Sequence, residues 1–308
     1  MPFENILLEY QSQSKFKQLV TTESGIIEHL SETTFMKNDQ QVEQHSIRFP
    51  ISVEENELGH VYFLFSSSET ITDSHRNFIG LLKQKLTVAF YKSILITDLL
   101  STVTNSLANL AEVKDPETGQ HLKKMSLYSQ VIASELRHID KYKAVVNDEY
   151  VTNIGYAAPM HDIGKVAIKD EILLKPGKLT EDEFAIMKIH SQAGGHVLDA
   201  IDRDLTRFDI TYFKMASDIA WGHHEKYDGT GYPKGLKKED IPLSARICAI
   251  ADVFDALSTK RPYKEPFELE KCYEILKDGS GKHFDSELLE VFLDKRNEIE
   301  KIFNHNRE

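Results

Sequence analysis

No glycine or proline interrupts the sequence between Gly80 and Pro116, and this stretch constrains the fold more than any other. Steps of alternately four and three residues through it reach apolar side chains at eight of nine positions. Such a repeat is typical of one long α-helix with a heptad seam. The helix either packs along its own domain or forms a parallel dimer stalk with a second chain. The seam positions are Leu82, Leu86, Ala89, Ser93, Ile96, Leu100, Val103, Leu107 and Leu110.

The long helix divides the chain into three predicted parts of a mainly α protein. The part before it combines loose helical spacing over residues 3–30 with two strand candidates, over residues 45–53 and 60–66. The parts are a small α+β sensory or regulatory domain at residues 1–75, the connecting helix at 76–113, and a helical domain at 114–308.

Composition narrows the classes of function. A formal net charge of −12 disfavours long nucleic acid, because binding to it depends on lysine and arginine neutralising phosphates. A small anionic ligand remains compatible, since bound divalent cations can reverse the local sign of charge. No apolar run is long enough to span a membrane. Only two cysteines, Cys248 and Cys272, are present, and they lie in apolar surroundings, which favours a cytoplasmic location.

Histidine and aspartate recur in a pattern that suits metal binding. In the doublet His161-Asp162, the imidazole can hold one ion while the two carboxylate oxygens reach two. A second doublet, His223-His224, is followed by a glycine-rich stretch that is a loop by composition. Asp252 and Asp255 interrupt an apolar helical run, and a buried carboxylate is costly unless it is paired or metal-bound.

The candidate ligands outnumber what one ion requires. A catalytic zinc typically takes three protein ligands, so this set predicts two metal ions bridged by a carboxylate. Because the set mixes imidazole and carboxylate without cysteine, iron or manganese is favoured over a structural zinc site. The candidates are His121, His161, His190, His223, His224, Asp162 and Asp252, with Glu117 as a further ligand if the turn before His121 permits.

The motifs, taken in order, resemble the HD-GYP domains of bacteria over residues 98–295. This resemblance implies an all-helical HD-type bundle that hydrolyses cyclic di-GMP with the help of metal ions. The N-terminal part has a weaker resemblance to the end of a GAF-type sensory domain. The motifs are ETGQH, HDIGK, KPGKL, MKIH, HHEKYDGTGYP, IADVFDAL and KRPYK.

The resemblance also assigns roles to residues. It implies that the seven histidines and aspartates named above are metal ligands, and that Glu117 matches a position that brings in a third ion in some members. Asp162 would bridge the metals, and it and Lys165 would be the catalytic residues. The implied substrate contacts are Lys165, Tyr232, Arg261 and Lys264.

The predicted reaction is attack of a metal-bridging hydroxide on cyclic di-GMP to give linear pGpG, and GMP if Glu117 recruits a third ion. Three departures from the family pattern, at Pro159, Lys124 and Ser286, leave every candidate ligand in place. They keep open an alternative in which the domain is a weak or inactive sensor that binds cyclic dinucleotide and a signalling partner. The same chemistry on cyclic GMP-AMP is a third possibility.

Overall fold

A computed structural model of the protein describes residues 5–12, 15–21, 27–29, 46–53, 56–64, 73–114, 119–208, 210–260 and 265–306. The chain divides into two compact units, Met1–Leu99 and Leu100–Glu308. The long helix contributes residues to both units, and each unit is described by itself.

The first unit contains a five-stranded antiparallel sheet. Its strand order is β3-β2-β1-β5-β4, so β1 lies at the centre and pairs with both β2 and β5. The strands are β1 (Asn5–Ser12), β2 (Lys15–Thr21), β3 (Ile27–His29), β4 (Ser46–Val53) and β5 (Asn56–Leu64).

The helix predicted over residues 3–30 is wrong, because the residues of this range that the structure describes form β1, β2 and β3. Leu8 pairs with Leu19 on one side and with Val61 on the other. The second pairing joins residues more than fifty positions apart, and spacing within a short window cannot reveal such a contact. The two later strands are confirmed as β4 and β5, which form an antiparallel pair.

The other named elements of the described chain are helices, joined by turns and loops. Short 3₁₀ turns cover Ala158–Met160, Ile163–Ala167 and Lys238–Asp240. The α-helices are α1 (Asp73–Lys114), α2 (Gly119–Leu136), α3 (Asp148–Ala157), α4 (Asp170–Leu173), α5 (Glu181–Met187), α6 (Ile189–Thr206), α7 (Lys214–Gly222), α8 (Leu243–Ser258), α9 (Leu269–Asp278), α10 (Ser286–Asp294) and α11 (Arg296–His305).

The predicted seam of α1 is divided between two faces in the second unit. Leu100 and Leu107 pack against the bundle core, whereas Val103 and Leu110 are 40% and 65% exposed. The core side is completed by small residues that are buried, Ala108 and Ala111. The C-terminal part of α1 therefore has one apolar face against its own bundle and another directed away from it.

The core of the second unit is built around α8. Phe254 contacts the rings of Tyr128, Tyr273 and Phe292 at centroid distances of 5.4, 5.4 and 5.1 Å, and all four residues are buried. Burying one such side chain contributes about 1.5–3 kcal/mol. These contacts join α8 to α2, α9 and α10, so the all-helical bundle predicted from the sequence is confirmed.

Two interruptions of helices lie next to the candidate ligands His161 and His190. Pro159 ends α3 in favour of a 3₁₀ turn, as expected for a residue that cannot donate a backbone hydrogen bond. The capping box at Thr180 opens α5, and α5 and α6 are separate helices with Lys188 between them. This break leaves the carbonyl of Met187 able to accept a hydrogen bond from the His190 side chain.

Within the described parts of the chain, no helix has the length and apolar character needed to cross a membrane.

Candidate metal centre

Seven of the predicted ligands converge on two adjacent groups. One group is Asp162, His190, His223 and His224, and the other is His121, His161 and Asp252; each offers ligand atoms within 4.8 Å of one another. They come from five places in the bundle: α2, the two 3₁₀ turns after α3, α6, the end of α7, and α8.

Asp162 lies between the two groups. Its Oδ1 is 3.1 Å from His190 Nε2 and 3.5 Å from His223 Nε2. Its Oδ2 is 3.3 Å from His161 Nε2, in the other group. One carboxylate oxygen therefore faces each group, which is the arrangement expected of a bridging ligand.

Backbone carbonyls fix the orientation of three imidazoles. The Nδ1 atoms of His161, His190 and His223 lie 3.0, 2.7 and 3.0 Å from the carbonyl oxygens of Ala158, Met187 and Ile219. A carbonyl can only accept, so each Nδ1 must be the donor. In the neutral imidazole, Nε2 then carries the lone pair that a metal ion requires.

A buried carboxylate orients the fourth imidazole. His121 Nδ1 lies 2.7 Å from Asp255 Oδ2. Asp255 Oδ1 lies 2.6 Å from the Nζ of Lys124, which also donates to Thr259. Burial opposes ionisation of Asp255, but His121 and Lys124 outweigh it and hold the pKa of this carboxyl below its usual value. The ionised carboxylate accepts from Nδ1, so His121 also presents Nε2.

The pKa values of three imidazoles reflect their burial and the negative charge of the nearby carboxylates. Burial lowers the pKa of His223 and places that of His224 well below its ordinary value, with His223 as the second cause. Burial also acts against protonation of His161, but Asp162 outweighs it and raises the pKa of His161 to about 9. Asp162 and Asp252 thus attract a positive charge to the place where a metal cation would supply it.

Close backbone packing brings Asp162 to α6. A Cβ atom at Gly164 would collide with the carbonyl oxygen of His190 and the amide nitrogen of Gly194. Glycine at this position therefore lets the turn that carries Asp162 approach the helix that carries His190. The Gly in HDIGK has a direct structural reason.

The loop after His224 is held by a buried carboxylate that the sequence did not mark as important. Glu225 accepts hydrogen bonds from the backbone N–H groups of Lys234 and Leu236 at 2.7 and 3.1 Å. Tyr232 donates its backbone N–H to the carbonyl of His224 at 3.2 Å. A Cβ atom at Gly231 would collide with the backbone of Glu225 and Lys226. These contacts place the Tyr232 ring in a stack with His224, at 4.7 Å between centroids.

Two predicted substrate contacts lie at this site. Lys165 Nζ is 2.7 Å from Asp162 Oδ2. Burial, with Asp162 and Asp252, raises the pKa of Tyr232 well above its ordinary value, so its hydroxyl remains a hydrogen-bond donor. The remaining predicted residues, Glu117, Arg261 and Lys264, lie outside the described residues.

A helical bundle with two adjoining groups of inward-facing imidazoles and carboxylates is a site of the kind that binds divalent metal ions. Residues 105–288 match the family profile described as HD domain. This match covers more than half of the chain, which therefore belongs to the HD domain family.

Several curated proteins are similar to this chain. A Vibrio cholerae protein named probable cyclic di-GMP phosphodiesterase is 49% identical over 191 residues, which are 62% of this chain and 43% of the relative. A Thermotoga maritima protein named cyclic di-GMP phosphodiesterase is 39% identical over 68% of this chain and 53% of its own. A V. cholerae protein named 3'3'-cGAMP-specific phosphodiesterase 2 is 37% identical over 79% of this chain and 47% of its own. The chain spans about half the length of these relatives.

Proposed function

We propose that the protein is a metal-dependent phosphodiesterase that hydrolyses cyclic di-GMP, with an HD-GYP type of site. The observation that carries this proposal is the position of Asp162, with one oxygen toward each group of imidazoles. The names of the relatives support the substrate class.

The proposed ligands of two divalent ions are the seven side chains of the two groups. The donor set fits such ions, since it is made of imidazole and carboxylate. Iron or manganese is the proposed metal for both positions. A third ion at Glu117 remains a prediction.

Two ions bound there would lower the pKa of a water molecule and offset charge on the phosphate oxygens. In the proposed hydrolysis, the water oxygen bonds to phosphorus, the bond from phosphorus to the ribose O3′ breaks, and a proton passes to O3′. The linear dinucleotide pGpG is the product, and a second cleavage would give GMP.

The side chains of the protein supply orientation and charge. Lys165, beside Asp162, is proposed to stabilise the negative charge that grows on the phosphate. The Tyr232 hydroxyl is protonated at neutral pH, and burial raises its pKa further. It is proposed to donate to a substrate oxygen. Arg261 and Lys264 are further proposed contacts, carried over from the family resemblance.

Two other readings remain as proposals. A relative named for 3'3'-cGAMP makes that dinucleotide a second candidate substrate. A domain that binds cyclic dinucleotide and a signalling partner without turnover is the alternative to an enzyme.

The direct test is a product assay on both cyclic dinucleotides. The chain is stripped with a chelator, reconstituted anaerobically with Fe(II) or Mn(II), and the products are separated by liquid chromatography. Linear dinucleotide should form only in the reconstituted protein. Asp162→Asn should abolish it, whereas Asp140→Asn, at a carboxylate on an exposed turn, should not.

If metal-loaded protein forms no product from either substrate, the proposal of phosphodiesterase activity is contradicted. Binding without turnover, measured by calorimetry, would then favour the adaptor. If product forms from 3'3'-cGAMP alone, the proposed substrate is wrong but the proposed hydrolysis stands.

The N-terminal sheet and α1 are proposed to regulate this site, and α1 is proposed to form a homodimer. The second apolar face of α1 supports the dimer, because Val103 and Leu110 are exposed and seven residues apart. Nearer the N-terminal end of the helix, Leu81, Val88 and Leu95 are also seven residues apart and exposed. The GAF-type resemblance and the cytoplasmic location stay predictions.

Sedimentation of the full chain tests the dimer. The double variant Val103→Glu and Leu110→Glu should shift it to the monomer without loss of the fold, since neither side chain packs in the bundle core. Leu100 and Leu107 are unsuitable for this test because they pack against that core. A wild-type chain that is monomeric at tens of micromolar would contradict the proposal.

A further inference from the structure

An exposed aromatic ring and a lysine lie on one side of α5, beside the metal centre. Phe184 is 48% exposed, although burial of a phenyl ring would be favourable. Lys188 follows one turn later, so both side chains share a face. The Nζ of Lys188 lies 5.3 Å from the centroid of the Phe184 ring.

Ring contacts connect Phe184 to the proposed metal ligands. Its ring meets Tyr232 edge to face at 6.4 Å, and Tyr232 stacks on His224. His224 in turn meets His190 edge to face at 5.0 Å. A ligand whose phosphate is held at the metal centre would therefore have its neighbouring groups beside Tyr232 and Phe184.

The charge of Lys188 is available to a ligand. Its Nζ lies 5.8 Å from the Tyr232 centroid, so it stands over both rings at cation–π distance. Within the described parts of the chain, no carboxylate lies within ion-pair distance of it, in contrast to Lys165 and Lys124, which contact Asp162 and Asp255.

We infer that Phe184, Lys188 and Tyr232 form a nucleotide-binding ledge, in which Phe184 stacks on a purine base and Lys188 contacts a phosphate of the same ligand. Every nucleobase has an aromatic face that can stack on an exposed aromatic side chain. Such stacking depends little on which base the ligand carries. The inference rests on the proposed function, since it names how the substrate of that site is held.

Binding of two mononucleotide probes tests the ledge independently of turnover. Guanosine 5′-monophosphate carries a base and a phosphate, whereas ribose 5-phosphate lacks the base. Both are titrated by calorimetry into the metal-loaded full chain. Phe184→Ala should weaken the binding of guanosine 5′-monophosphate by about ten-fold and leave that of ribose 5-phosphate unchanged. Phe184→Tyr should restore it.

Two further variants separate charge from stacking and from surface effects. Lys188→Met should weaken the binding of both probes, because both carry a phosphate. Ile186 is an apolar side chain of α5 that is 40% exposed and lies outside the ledge. Ile186→Ala should therefore leave the binding of both probes unchanged. Metal content and thermal unfolding of each variant confirm that the site is intact.

The ledge is overturned if Phe184→Ala affects the two probes equally or neither of them, or if the wild type binds guanosine 5′-monophosphate no more tightly than ribose 5-phosphate. If the chain shows the predicted difference between the probes but hydrolyses neither cyclic dinucleotide, the ledge is supported. The proposed enzymatic activity is then contradicted.

Discussion

His121 and Asp255 form a buried hydrogen bond of 2.7 Å between Nδ1 and Oδ2. Asp255 belongs to neither group of candidate ligands, yet it determines which nitrogen of His121 faces the centre. Carboxylates in this position orient metal-binding histidines, and their removal typically costs 10–100-fold in metal affinity.

Asp255→Asn should therefore weaken metal binding by about 10–100-fold. A competition titration with a chelator of known affinity measures the change. Lys124→Arg keeps the positive charge beside Asp255 and should leave affinity nearly unchanged. If Asp255→Asn holds metal as tightly as the wild type, Asp255 does not orient His121.

Gly164→Ala should lower both stability and metal content. Its Cβ atom would meet backbone atoms of α6, so the turn must move away and carry Asp162 from His190. We expect a loss of about 1–3 kcal/mol in the free energy of unfolding, as for overpacking. Gly80→Ala, where a Cβ atom meets nothing within 4 Å, is the control, and equal effects of the two variants would refute the packing argument.

Lys165→Ala should keep the metals and slow the reaction. Removing one group that stabilises transition-state charge typically costs about 10²–10³-fold in kcat. Elemental analysis and steady-state kinetics of the same preparation separate the two effects. Lys178→Ala, at an exposed position, serves as the control. Unchanged kinetics would mean that the substrate phosphate does not approach Lys165.

Metal binding should release a proton at pH 7. Because the pKa of His161 is raised to about 9, the metal-free side chain is protonated at pH 7 and must lose that proton to bind a cation. At pH 10, above this pKa, the released proton should be absent. Calorimetry in buffers of different ionisation enthalpy counts the protons, and equal counts at both pH values would contradict this description of His161.

The seven side chains that lie together in the two groups could be selected from the sequence, because metal ligands are limited to a few residue types. The doublets at His161 and His223, and Asp252 within an apolar run, are unusual enough to indicate metal binding before any fold is known. Requiring a partner for a buried carboxylate also anticipated Asp255, whose partner is Lys124. The spacing of three residues does not by itself decide between the two carboxylates in α8, although the prediction named Asp252, which lies with His121 and His161 in one group.

Contacts between distant segments escaped prediction. Glu225 looked like any surface carboxylate, and its backbone partners follow in a loop whose path the sequence does not define. Phe184 and Lys188 matched an ordinary amphipathic helix, since nothing local places Tyr232 beside them. The central strand β1 was mistaken for a helix for the same reason, as its pairing with β5 decides its conformation.

The number of metal ions per chain tests the central claim most directly. After anaerobic reconstitution and removal of free metal, elemental analysis should give two ions per chain in the wild type. Asp162→Ala should lose more metal than any single histidine variant, because among the described candidate ligands Asp162 is the one with a carboxylate oxygen near each group. Asp140→Ala should lose none. One ion or fewer in the reconstituted wild type would contradict the two-metal centre.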